Sequence, residues 1–75
     1  MNEIIYFKKT IIVTESGLDR ILKKTDIRFV VFIKEHWEIS FTFGGGDNDY
    51  FSITFESEEK TKNNFQKLNN WLNED

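Results

Sequence analysis

The chain has 75 residues, 39% hydrophobic and 16% aromatic, and its 13 acidic and 10 basic side chains leave a net charge of −3. That length supports a single domain over residues 1–75, with one modest core and a stability on the order of 3–5 kcal/mol. The absence of cysteine excludes a disulfide framework, thiolate metal sites and cysteine catalysis, and the small negative charge gives no field that draws nucleic acid.

The chain opens MNEIIYFKKTIIVT, with its paired lysines after the first apolar run and no apolar stretch of signal-peptide or membrane-spanning length. The expectation is a cytoplasmic protein, acting in the producing bacterium or in a cell it enters, with no membrane association. Residues 3–13 are rich in Ile, Val, Tyr and Phe and read as one strand, bulged at Lys8-Lys9. A hairpin turn at the two lysines is the competing reading, but neither residue favours the positive φ of a two-residue turn.

Thr14-Glu15-Ser16-Gly17 is a break, after which Leu18, Ile21 and Leu22 fall at i, i+3, i+4. That spacing predicts a short helix over about Gly17 to Lys24, capped by Ser16 and ending on Lys23 and Lys24 where the helix dipole favours cations. Asp26 to Lys34 reads as a strand that is apolar on both faces, and Glu35-His36 as the turn out of it.

From Trp37 to Phe55 the pattern has a period of two. Trp37, Ile39, Phe41 and Phe43 alternate with Glu38, Ser40 and Thr42, and Phe51, Ile53 and Phe55 alternate with Ser52 and Thr54, so a β-hairpin is predicted across the loop Gly44 to Asp49. The last element is a helix: Ser57 caps it, Glu58 and Glu59 occupy the first turn, and Phe65, Leu68, Trp71 and Leu72 form its apolar stripe.

The predicted fold is α+β, in the order β-α-β-β-β-α, with a mostly antiparallel sheet and the C-terminal helix across one face. Strand parity then turns Ile5, Phe7, Ile27, Phe29, Trp37, Ile39, Phe51 and Ile53 toward the helices. It leaves Ile4, Tyr6, Ile12, Val30, Phe32 and Tyr50 on an open face among Ser40, Thr42, Ser52 and Thr54, a surface too apolar to be left to water.

Signals for chemistry are weak. His36 is the only histidine and has no nucleophile or orienting group beside it in a recognisable pattern. The glycine-rich loop carries Asp47 and Asp49, which oppose phosphate, and its spacing fails the EF-hand pattern. No metal and no cofactor are therefore expected. Glu56, Glu58 and Glu59 are explained by helix capping.

From Ser16 onward, the predicted α-β-β-β-α order resembles the outline of a double-stranded RNA-binding domain. That family grips phosphates with lysines at the start of its last helix, whereas Ser57-Glu58-Glu59-Lys60-Thr61-Lys62 leads with carboxylates. The resemblance implies a nucleic-acid module as one alternative, using Lys8, Lys9, Arg20, Lys23, Lys24 and Arg28 with Tyr6 or Trp37 for stacking.

The favoured expectation is a non-catalytic protein-binding module, an inhibitor or modulator of a host enzyme or defence complex of the kind carried by phages and mobile elements. The Lys-, Asn- and Ile-rich composition fits such a low-GC source. Its partner is expected to be a protein, contacted by Tyr6, Phe32 and Tyr50 on the open face and by Asp47 and Asp49 on the loop. A homodimer through that face is the other alternative, nucleic acid is disfavoured as a partner, and no catalytic residue is assigned.

Overall fold

Ser16 and Gly17 have φ values of 52° and 84°, the pair of positive angles that a type I′ hairpin turn demands. Across this turn β2 (Thr10–Glu15) runs antiparallel to β3 (Leu18–Lys23), with Glu15 opposite Leu18 and Thr10 opposite Lys23. β1 (Glu3–Tyr6) pairs with the other edge of β2, which completes a three-stranded sheet in the order β1-β2-β3. The computed structural model describes residues 2–44 and 49–74.

Two expectations for this region are corrected. Residues 3–13 form two strands that reverse at Lys8-Lys9, and the predicted helix over Gly17 to Lys24 is the strand β3. Neither lysine takes a positive φ. The reversal is held instead by the Phe7 N–H, which donates to the Thr10 carbonyl at 2.9 Å, and by the Phe7 carbonyl, which accepts the Trp71 indole N–H at 2.6 Å.

The helical spacing of Leu18, Ile21 and Leu22 misleads because the three do not share a buried face. Leu22 is 8% exposed, while Leu18 and Ile21 are 67% and 71% exposed. A two-turn helix is unstable on its own, whereas six consecutive residues of β3 find partners on β2 once the turn has formed. The likeness to a double-stranded RNA-binding domain rested on that helix and goes with it.

A 3-10 turn over Lys24–Asp26 leads into the second sheet, which has the order β4-β5-β6 from β4 (Ile27–Ile33), β5 (Glu38–Phe43) and β6 (Tyr50–Thr54). β4 and β5 are joined by a 3-10 turn over Lys34–His36 closed by Trp37, whose φ of 51° is the left-handed value that ends such a loop. That angle is costly for a bulky side chain. The Trp37 carbonyl accepts the Phe55 N–H at 3.0 Å and so ties the loop to the end of β6.

α1 (Glu58–Leu72) begins as the sequence predicts, with the Ser57 hydroxyl accepting the Lys60 N–H at 3.1 Å and Glu58 and Glu59 in the first turn. Its stripe lies over both sheets. Phe65 meets Phe32 of the second sheet at 5.6 Å between ring centroids, and Trp71 meets Tyr6 of the first at 5.9 Å. Leu68 between them is fully buried, and Thr61 is buried with its hydroxyl donating to the Ser57 carbonyl. The fold is thus α+β, antiparallel throughout its two sheets, with the C-terminal helix packed on them.

One core joins the parts: Ile4, Ile11, Val13 and Leu22 from the first sheet, Ile39, Phe41, Phe51, Ile53 and Phe55 from the second sheet and its exit, and Leu68 and Trp71 from the helix.

Candidate protein-binding surfaces

Which face of each sheet looks outward follows from the register. In and just after β1 both alternate sets carry apolar side chains, Ile4 and Tyr6 on one and Ile5 and Phe7 on the other, so parity alone cannot orient the strand. Pairing decides it, because Ile4 lies opposite Val13 and Tyr6 opposite Ile11, both core partners. In β4 a bulge at Arg28 changes parity: Ile27 pairs with Phe43 and Phe29 with the adjacent Thr42, so Ile27 and Phe29 fall on opposite faces. Val30 then lies opposite Phe41 and Phe32 opposite Ile39.

The expected open face is corrected accordingly. Ile4, Tyr6, Val30 and Phe32 face the core, whereas Ile5, Phe7 and Phe29 turn outward and Trp37 sits exposed in its loop. Of the residues expected to meet a partner, Tyr6 packs on Trp71 and Phe32 on Phe65 beneath the helix. The Tyr6 hydroxyl donates to the Asn64 carbonyl at 3.5 Å, and burial pushes its phenol up from 10.0 to about 12. Tyr50 is exposed. Asp49 is also exposed, and its carbonyl accepts the Phe43 N–H at 2.9 Å at the foot of the loop, while Asp47 lies outside the described residues.

The outer face of the second sheet has three rows across its strands. Phe29, Thr42 and Tyr50 form the first, Val31, Ser40 and Ser52 the second, and Ile33, Glu38 and Thr54 the third. The apolar side chains of β4 therefore make a strip along one edge, with hydroxyls beside it and the Tyr50 ring across from Phe29. Phe29 and Tyr50 are 54% and 62% exposed. Both are aromatic side chains of the type enriched at protein interfaces, set among small polar groups that add little bulk.

The chain matches no protein family, curated protein or solved structure. Function has to be read from these surfaces.

The outer face of the first sheet presents a row of isoleucines, Ile5, Ile12 and Ile21, with Phe7 beyond Ile5. It is smaller in aromatic content and bordered by Glu3, Thr14 and Asp19, of which the Thr14 hydroxyl donates to the Asp19 carboxylate at 2.7 Å. His36 is exposed in the turn before Trp37. Among the described residues no group of three His, Asp or Glu side chains is placed to hold a metal ion, and no helix is long and apolar enough to cross a membrane.

As alternation misassigns Ile5 and Phe7 in the first sheet, so in the second it misassigns Phe29 and, two residues on, Val31. Arg28, a charged residue interrupting an otherwise apolar strand, is the local signal for the bulge that turns them outward.

Proposed function

We propose that this chain is a non-catalytic protein-binding module that meets its partner through the outer face of the second sheet, and that it inhibits or modulates an enzyme or defence complex of the cell in which it acts. The observation that carries the reading is the pair of exposed rings, Phe29 and Tyr50, facing each other across Thr42. Covering the remaining exposed part of each ring is worth on the order of 1–2 kcal/mol, so together they supply a useful anchor for a partner. The phage or mobile-element origin belongs to this proposal and is supported by composition alone.

The test is capture of partners from bacterial lysate by the tagged protein, with nuclease and in high salt, beside the double variant Phe29→Ser/Tyr50→Ser. A single protein partner is expected with the native chain and at least about tenfold less of it with the variant, at unchanged circular dichroism. Equal recovery by the variant, or recovery of nucleic acid alone, would overturn the proposal. Sedimentation of the isolated protein separates it from the rival in which the same face joins two copies: a dimer that the double variant abolishes favours self-association.

A further inference from the structure

The lysines of this acidic protein are not spread evenly. The backbone N–H of Lys24 donates to the Lys9 carbonyl at 2.8 Å, and Thr10 lies opposite Lys23 in the β2–β3 register. These contacts bring the pairs Lys8-Lys9 and Lys23-Lys24, far apart in sequence, to one end of the first sheet. There, with Thr10 and Thr25, they line an open depression of about 440 Å³.

Its walls are almost wholly carbon, and long lysine stems of this kind lie along apolar surface while carrying their ammonium groups out to the solvent at its rim. Lys24 is partly engaged, with its Nζ 4.5 Å from the Trp71 ring centroid and donating to the Glu74 carbonyl at 3.3 Å. Among the described residues, Lys8, Lys9 and Lys23 make no ion pair; the two ion pairs present, Lys34–Glu58 and Lys60–Glu56, use other lysines. Setting these four positive charges apart from the net −3 leaves −7 on the rest of the chain (−3 − 4 = −7).

We infer that this lysine-rimmed depression is a second contact site that takes an acidic segment of the protein partner, with an apolar side chain of that segment on the carbon floor and its flanking carboxylates on the ammonium rim. This rests on the protein-binding reading above and supplies the partner's chemistry. Charge complementarity selects the ligand's sign, and the strongly negative remainder of the surface opposes a long polyanion while leaving a short acidic segment free to dock. The carbon floor makes the same distinction. A peptide with an apolar residue between glutamates uses both floor and rim, whereas a phosphodiester backbone uses the rim alone, and no aromatic side chain lines the depression for a base to stack on.

The experiment is fluorescence anisotropy at low ionic strength with a short labelled peptide in which glutamates flank a central leucine. Binding is expected for this peptide and not for its glutamine counterpart, with a loss of at least about tenfold in Lys9→Glu/Lys23→Glu and no loss in Phe29→Ser/Tyr50→Ser. If charge reversal unfolds the chain, Lys9→Gln/Lys23→Gln carries the same expectation. Failure of the peptide to bind, equal binding of the glutamine peptide, or equal binding by the lysine variants would overturn the inference. So would tighter binding of oligothymidylate that depends on the same lysines, which would make this a nucleic-acid site. Because the outer face of the second sheet is tested by its own variant, loss of this site leaves that reading standing, and the reverse.

Discussion

In the second sheet the core is built ring against ring, with Phe41 stacked on Phe51 at 5.0 Å and Phe43 edge-on to Phe51 at 5.7 Å. The fully enclosed side chains that the first sheet gives the same core are all aliphatic, Ile4, Ile11, Val13 and Leu22, and its half-buried Tyr6 and the Phe7 carbonyl reach the helix. Both are three-stranded antiparallel meanders, yet one is anchored chiefly by its own side chains and the other by a turn and a helix. The difference indicates where the chain is vulnerable: the second sheet to loss of aromatic volume, the first to loss of backbone geometry.

The largest effect expected follows from the aromatic stack. Phe41 is fully buried at the middle of its sheet, and Phe41→Ala should cost about 3–5 kcal/mol, which is the order of the whole stability expected for a domain this small. The variant should be largely unfolded by circular dichroism at ambient temperature. Ile11 is just as buried in the first sheet, but Ile11→Val removes one methyl and should cost only about 0.5–1.5 kcal/mol. If Ile11→Val also left the chain largely unfolded by circular dichroism, the contrast between the sheets would collapse.

The first sheet is expected to break at its turn. A Cβ added at Gly17 meets nothing within 4 Å, so Gly17→Ala tests the backbone alone, and forcing alanine to a φ of 84° should cost about 1–2 kcal/mol. Ser16→Asn should shift the midpoint slightly the other way, since asparagine tolerates the left-handed region better and the Ser16 contact to the Asn2 side chain is made by its backbone N–H. A neutral Gly17→Ala would mean that the strand β3 is imposed by packing and not by the turn.

This contrast also explains what the residues made legible. Strict alternation from Trp37 to Phe55 could describe only a hairpin, and Ser57 with Glu58, Glu59 and the Phe65–Leu72 stripe could describe only a helix, so the second sheet and α1 follow from pattern. The first sheet was obscured because Leu18, Ile21 and Leu22 imitate a helical face while two of them stand in solvent, and because the deciding signal is the two-residue turn Ser16-Gly17. For the candidate surface, Tyr50 was legible as exposed. Tyr6 and Phe32 were not placed correctly, since in strands apolar on both sides the facing depends on a cross-strand partner and on one bulge at Arg28, neither of which has a period.

The smallest effect expected is specific to the first sheet's hold on the helix. Burial of Tyr6 against Trp71 raises its phenol from 10.0 to about 12, meaning that the folded state keeps the proton more tightly than the unfolded chain does. The contribution of the neutral phenol is therefore complete below about pH 10 and is lost as pH rises through the interval to about 12, because there the unfolded chain releases a proton that the folded chain must retain. Partial solvent access limits the loss to on the order of 1 kcal/mol. Tyr6→Phe has no such proton. Its neutral-pH stability should change little, since the hydroxyl's bond to Asn64 is long at 3.5 Å, and its urea midpoint should fall less than that of the native chain between pH 9 and pH 11. The two proteins differ in that one hydroxyl, so parallel alkaline losses would show that burial against the helix does not hold the Tyr6 proton and that the indole–carbonyl bond and the aliphatic core hold the first sheet there.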